Sequence, residues 1–202
     1  MTRSGKLAYS DDLVSAFTAT VVRSYQERVG GNHYLGRTAI QKLVYFAKTL
    51  GVPIPCSFEI YTYGPYSDSV TFSVDSMLAD DVLKDISNSP QKYSDYRLGD
   101  NADEILNAYQ PLIAPYQRTI DSVVQSLGSF EPKELELVAT LHFIHHRMKQ
   151  ILRRDPSREQ VLEEFRRIKK DKFGGQEVES FYLALKNAHL IGPFSEFAAS
   201  GA

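Results

Sequence analysis

The chain has 202 residues, of which 43% are hydrophobic and 24% charged, and its formal net charge is −2 at pH 7. These values are ordinary for a soluble globular protein with one well-filled core or two small ones. The single cysteine, Cys56, excludes an internal disulfide and a zinc ribbon, and no window approaches the roughly 20 apolar residues of a membrane span. We therefore expect a cytoplasmic protein without a signal peptide.

The first 50 residues predict two helices. Ser10 and the two aspartates after it cap a segment whose apolar residues are spaced by four, beginning at Leu13 and ending at Tyr25. In residues 37–50, apolar side chains recur at the i, i+3, i+4, i+7 spacing of a half-buried helix, and Gly51 follows as its stop.

The stretch EIYTYGPYSDSV, residues 59–70, predicts a strand followed by a helix. Residues 58–63 alternate and are rich in aromatic and β-branched side chains, which favours a strand. Gly64-Pro65 is expected to break this strand, and Ser67 and Asp68 then offer N-cap oxygens to a helix that carries Val70 and Val74. Residues 82–87 and 93–98 predict a hairpin. The predicted order is that of a winged helix, three helices followed by a hairpin. Here a strand is inserted before the third helix.

The rest of the chain predicts helices alone. Residues 101–127 keep a helical stripe across Pro111 and Pro115, which should kink or split it. A further helix is expected over residues 131–154, another after a capping box at Ser157 and Gln160, and a last one after Gly174. The predicted fold class is mainly α (α+β): a winged-helix-like unit with a small β-hairpin (1–100), a kinked connecting helix (101–130), a helical C-terminal unit (131–192) and a flexible tail (193–202).

The sequence predicts no catalytic site, no metal site and no cofactor. His142 and His146 are four residues apart, a spacing that lets two imidazoles meet one metal, but a third ligand and a glutamate base are missing nearby. Cys56 and the serines lie in no nucleophile signature. We therefore expect these histidines on a half-buried helix of a protein that is not an enzyme.

Two charged segments bear on nucleic-acid binding. Residues 64–81 contain four aspartates and no lysine or arginine, which disfavours this helix as a DNA reader, while Lys84, Lys92 and Arg97 give the hairpin only a small positive wing. Residues 145–172 hold ten basic side chains against five acidic ones. This basic strip could bind nucleic acid or be a solvated helix face; it comprises Arg147, Lys149, Arg153, Arg154, Arg158, Arg166, Arg167, Lys169, Lys170 and Lys172.

KLVYFA at residues 42–47 and YGPYS at residues 63–67 carry a family resemblance. At this spacing the N-terminal half resembles the YwgA-like bacterial proteins and, more distantly, the Panacea antitoxin domains. The resemblance implies a mostly helical, winged-helix-like fold in a prokaryotic or phage-linked protein. For Panacea domains it implies the neutralisation of a toxin by direct contact.

From these observations we expect a non-enzymatic regulatory protein that binds a protein partner, antitoxin-like or defence-related. The expected contact surface is the acidic third helix together with a tyrosine corner made of Tyr61, Tyr63, Gly64, Pro65, Tyr66 and Asp68, because tyrosines combine a large contact area with a polar tip. The corner could instead be a packed turn. The alternative function is a nucleic-acid-binding winged-helix transcriptional regulator, and homodimerisation stays open.

Overall fold

The computed structural model describes residues 7–31, 33–88 and 93–191. These residues form mainly helices and two small antiparallel hairpins, which confirms the predicted α+β fold class. In chain order the elements are α1 (Leu13–Arg28), α2 (Arg37–Thr49), β1 (Glu59–Tyr61), β2 (Gly64–Tyr66), α3 (Asp68–Ala79), β3 (Leu83–Asp85), β4 (Tyr96–Leu98), α4 (Ala102–Ile113), a 3-10 turn (Ala114–Tyr116), α5 (Gln117–Leu127), α6 (Pro132–Leu152), α7 (Arg158–Lys169), a second 3-10 turn (Lys170–Lys172) and α8 (Gly175–Asn187).

The chain divides into two compact units. The first unit is Met1–Glu59 with Pro65–Leu135, and the second is Ile60–Gly64 with Glu136–Ala202. Of the predicted tail, residues 193–202 lie outside the described part of the chain. Within the described residues, no helix combines the length and the apolar character needed to cross a membrane.

Helix α1 is the centre of the first unit, where it contacts α2, α3, α4 and α5. Asp12 caps its first turn by accepting the backbone N–H of Ser15 at 2.9 Å. Its buried face includes small hydroxyl residues that hydrogen-bond locally, such as Thr20, which donates to the Ala16 carbonyl at 2.8 Å. Small side chains let four neighbouring helices approach one central helix.

The third helix is followed by the predicted hairpin. Strands β3 and β4 pair antiparallel, with Leu83 opposite Leu98 and Asp85 opposite Tyr96. The order α1, α2, α3 and hairpin agrees with the order expected from the sequence, and the likeness to a winged helix stays a prediction.

The prediction that Gly64-Pro65 interrupts the strand is wrong. The chain turns at residues 62–63, and Gly64–Tyr66 forms β2, which pairs with β1. In a sheet of only two strands each strand has an outer edge, where a proline without an N–H leaves no ladder hydrogen bond unmade. Gly64, at a φ of 89°, supplies the left-handed backbone that the turn requires.

The prolines of residues 101–127 act as predicted. Pro111 lies inside the last turn of α4, and the 3-10 turn at Ala114–Tyr116, with Pro115 in its first positions, separates α4 from α5. The capping box before α7 is also confirmed, because Ser157 accepts the N–H of Gln160 and the Gln160 side chain accepts the N–H of Ser157.

Candidate protein-interaction surface

Two polar residues of α2 hold the chain at the start of α3, all within the first unit. Gln41 accepts the N–H of Ser67 at 2.9 Å and donates to the Ser67 carbonyl at the same distance, as a neighbouring strand would. Lys42, only 2% exposed, donates to the Pro65 carbonyl at 2.7 Å. The predicted capping bond is wrong, because Ser67 is the N-cap residue of α3 but its side chain makes no capping bond; Gln41 instead holds the backbone of Ser67. The KLVYFA and YGPYS motifs are thus joined by a structural contact.

At the far end of α3, Asp80 has a structural role. Its carboxylate accepts the backbone N–H groups of Ala8, Tyr9 and Ser10 at 2.8–3.1 Å and the Ser10 hydroxyl at 2.7 Å. Burial disfavours the charged carboxylate, but these donors outweigh it and hold the pKa of Asp80 below its usual value. Asp80 is therefore unavailable to a partner, although it is one of the four aspartates of the acidic segment 64–81.

The outer face of α3 is acidic and aromatic. Asp68, Phe72 and Asp75, at i, i+4 and i+7, are all exposed, and 70% of Phe72 is accessible to solvent. Val70, Val74 and Met77 fill the opposite face and are fully buried. We call Asp68, Phe72 and Asp75 the α3 face.

One aspartate of the α3 face is paired and the other is not. The guanidinium of Arg37 donates to Asp75 at 2.8 Å and lies 3.3 Å from the Tyr96 hydroxyl, and these two contacts hold it beside α3. Asp68 makes no ion pair with any of the residues that the structure describes. The α3 face therefore keeps an acidic character.

The residues of the predicted tyrosine corner fall in both units. Pro65, Tyr66 and Asp68 belong to the first, where the Tyr66 hydroxyl accepts a hydrogen bond from Thr71 at 2.8 Å and helps to hold α3. Tyr61, Tyr63 and Gly64 belong to the second, and there the two tyrosines are 65% and 59% exposed.

The basic strip is partly neutralised. Carboxylates pair with five of its ten cations: Lys149 with Asp155, Arg158 with Glu179, Arg167 with Glu164, and Lys169 and Lys172 with Glu136. The other five are exposed, namely Arg147, Arg153, Arg154, Arg166 and Lys170.

The cations of the β3–β4 hairpin are also neutralised where the structure describes them. Lys84 pairs with Asp81 and Asp100, and Arg97 pairs with Asp95. Lys92 lies outside the described residues.

Glu136 is buried between two of these lysines in the second unit. Lys169 donates to it at 2.8 Å and to the Thr62 carbonyl at 2.7 Å, while Lys172 donates to both of its oxygens. The ammonium of Lys172 also lies 4.7 Å from the centre of the Tyr63 ring, a cation–π contact. Burial lowers the pKa of Lys169 despite the opposing effect of Glu136. This cluster anchors the turn that carries Tyr61 and Tyr63.

The two histidines considered as metal ligands stack on each other. The rings of His142 and His146 are 6.1 Å apart and nearly parallel, and burial lowers the pKa of His142 to about 3. Among the described residues, no group of three or more His, Cys, Asp or Glu side chains is placed to hold a metal.

Burial raises the pKa of the Cys56 thiol, which favours its neutral form over the nucleophilic thiolate.

Sequence reasoning missed Phe72, the most exposed large apolar side chain of the described chain. The signal was present, because Phe72 lies about 200° around the helix from Val70 and so falls outside the apolar stripe of α3. It also missed the buried roles of Gln41 and Lys42, since polar side chains within a helix usually indicate its exposed side.

Comparisons with known proteins give one partial relative and no family assignment. The chain is 28% identical over 107 residues to "Uncharacterized protein YwgA" of Bacillus subtilis (strain 168). The match covers 53% of this chain and 63% of that protein, so the chain spans less than two thirds of its relative. No protein-family model matches the chain. The resemblance to YwgA-like proteins is supported over this stretch, and the resemblance to Panacea domains stays a prediction.

Proposed function

We propose that the protein is a non-enzymatic, cytoplasmic regulatory module that binds a protein partner through the α3 face, as an antitoxin or a defence-related protein would. The observation that carries the proposal is Phe72, exposed between two aspartates on a helix whose opposite face is fully buried. Exposed aromatic side chains of this kind are typical anchors of protein interfaces.

The charge of the α3 face indicates the chemistry of the partner. Asp68 and Asp75 flank the apolar ring, so a complementary surface presents an apolar pocket with lysine or arginine at its rim. The carboxylate of Asp68, unpaired within the described residues, would repel a DNA backbone, which favours a protein over duplex DNA at this face.

Co-purification from cells that express the tagged protein tests this proposal. Phe72→Ala should reduce the recovery of a bound partner about tenfold or more, because filling a partner pocket with a phenylalanine contributes about 1.5–3 kcal/mol. Leu112→Ala is the matched control, since Leu112 is also a large exposed apolar side chain of a helix in the first unit.

Charge reversal supplies a second arm of this experiment. Asp68→Lys should abolish recovery, whereas Asp103→Lys should not, because Asp103 is likewise an exposed aspartate in the first turn of a helix. Equal recovery with all four variants, or recovery that Leu112→Ala and Asp103→Lys reduce as strongly, would refute the α3 face as the interface.

A second candidate function is the binding of nucleic acid through the exposed part of the basic strip. The observation in its favour is that Arg147, Arg153, Arg154, Arg166 and Lys170 are exposed and have no carboxylate partner within the described residues. Such side chains could contact phosphates without sequence preference.

A further inference from the structure

A cavity of about 520 Å³ lies in the first unit and is rich in aromatic side chains. Tyr34 and Tyr93 line it with their rings 4.9 Å apart, and Tyr25 and Phe130 line it as well. Tyr34 is 61% exposed, whereas Tyr25 is buried. The faces of the Tyr34 and Tyr93 rings can attract a cation through the negative part of their quadrupole, while Arg97 already lies over the Tyr25 ring.

The charged groups around this cavity leave one carboxylate without a cation. Arg37 lines the cavity, but its guanidinium is paired with Asp75; Arg97 lies over the Tyr25 ring and is paired with Asp95. Glu131 also lines the cavity and forms no ion pair with any described residue. With each arginine matched by its own aspartate, the carboxylate of Glu131 is left unpaired within the described residues, and His33 is a further titratable side chain of the cavity lining.

We propose that this aromatic cavity accepts a cationic side chain, lysine or arginine, of the partner that binds the α3 face. Aromatic rings with one nearby carboxylate form a site for a cation rather than for an anion or a neutral apolar group. Arg37 connects the two regions, since it lines the cavity and also pairs with Asp75 of the α3 face. This inference deepens the proposed function and rests on it for the identity of the ligand as part of a protein.

Short peptides test the cavity without the partner. Three blocked pentapeptides, Gly-Ser-X-Ser-Gly with X as lysine, arginine or the uncharged norleucine, are titrated into protein with ¹³C-labelled tyrosine rings, and the ring signals are followed by NMR. At least one cationic peptide should shift the Tyr34 and Tyr93 signals and bind about 2- to 30-fold more tightly than the norleucine peptide, which is the range expected of a cation–π contact.

Variants locate the binding. Tyr34→Leu and Glu131→Gln should each weaken the cationic peptide about threefold or more, while Tyr34→Phe, which keeps the ring, should largely retain binding. Tyr9→Leu is the matched control, because Tyr9 is an equally exposed tyrosine of the first unit that does not line the cavity. Equal affinities for all three peptides, or affinities that Tyr34→Leu does not change, would overturn the inference.

The result separates the cavity from the α3 face. Phe72→Ala should leave peptide binding unchanged, because Phe72 does not line the cavity. Peptide binding together with partner recovery that ignores Phe72 would refute the proposed function and leave the cation site standing. Partner recovery that depends on Phe72, together with equal affinities for the cationic and norleucine peptides, would support the proposed function and refute the cation site.

Discussion

At the scale of single residues, three buried polar side chains in the first unit replace backbone contacts that the fold lacks. Gln41 binds both backbone groups of Ser67, Lys42 binds the Pro65 carbonyl, and Asp80 binds three consecutive N–H groups near the N-terminus of the described chain. Each supplies a side-chain partner to backbone groups far from it in the sequence, and a buried backbone group without a hydrogen bond is costly.

Gln41→Ala should destabilise the first unit. The change leaves the Ser67 N–H unsatisfied and removes one of the two hydrogen bonds to the Ser67 carbonyl, which still accepts the Thr71 N–H; this should lower the free energy of unfolding by about 1–3 kcal/mol. Urea unfolding measured by circular dichroism checks this, with Gln110→Ala, an exposed glutamine of α4, as the control expected to change stability by less than about 0.5 kcal/mol. Equal stability of the two variants would show that the Gln41 contacts contribute nothing.

Asp80 should give the protein a dependence on acid. Its folded pKa lies below its unfolded value of 3.8, so its contribution to stability is complete above that pH and is lost as the pH falls through the folded pKa. Asp80→Asn should lower stability at pH 7 by about 1–3 kcal/mol and reduce the further loss below pH 4. An unchanged acid-unfolding curve in the variant would contradict this role.

At the scale of elements, the sequence predicts the body of α3 but not how its N-terminus is held. The buried stripe of Val70, Val74 and Met77 was predictable from helical spacing, as were the helix itself and the hairpin after it. The role of Gln41 at its N-terminus was not, because that contact joins residues 26 positions apart. The pattern of one helix cannot show which distant side chain binds the backbone where that helix begins.

His142 of α6 should make stability depend on pH below about pH 6.5, a higher range than that of Asp80. His142 keeps a pKa of about 3 in the folded protein and 6.5 when unfolded, so below pH 6.5 the unfolded chain takes up a proton that the folded chain does not. The free energy of unfolding should therefore decrease with falling pH, by up to about 1.4 kcal/mol per pH unit from this residue.

His142→Gln isolates this effect. Unfolding at pH 8, where histidine is neutral in both states, gives the packing cost of the substitution, and the change between pH 6.5 and pH 5 gives the titration. The variant should lose up to about 1.4 kcal/mol less per pH unit than the unmodified protein. Parallel pH profiles would contradict the buried, neutral state of His142.

At the scale of the whole molecule, composition and spacing predicted the helical class, the hairpin, the effect of the prolines and the capping box. They did not predict the pairing of Lys169 and Lys172 with Glu136, because these residues are more than 30 positions apart in the sequence. The number of basic residues in the sequence therefore overstates how many unpaired cations the basic strip presents to a ligand.

The nucleic-acid alternative predicts a specific salt dependence. If the strip binds duplex DNA, alanine at Arg153, Arg154, Arg166 and Lys170 should reduce the slope of log affinity against log salt by up to about 3–4, since each phosphate contact contributes about 0.9. Alanine at the paired cations Lys149 and Arg167 should change the slope less. Filter binding from about 50 mM salt upwards measures it, and no retention there would remove this alternative.

Photocrosslinking from position 72 tests the central claim, that the α3 face docks a basic protein partner, most directly. Benzoylphenylalanine placed at Phe72 keeps an aromatic ring on the exposed face, and the same group at Leu112 provides the control. We expect one crosslinked species of discrete mass at position 72, with the linked peptide of the partner containing lysine or arginine. This species should be lost on Asp68→Lys but not on Asp103→Lys. Crosslinks that are equal at the two positions, or that persist after Asp68→Lys, would contradict it.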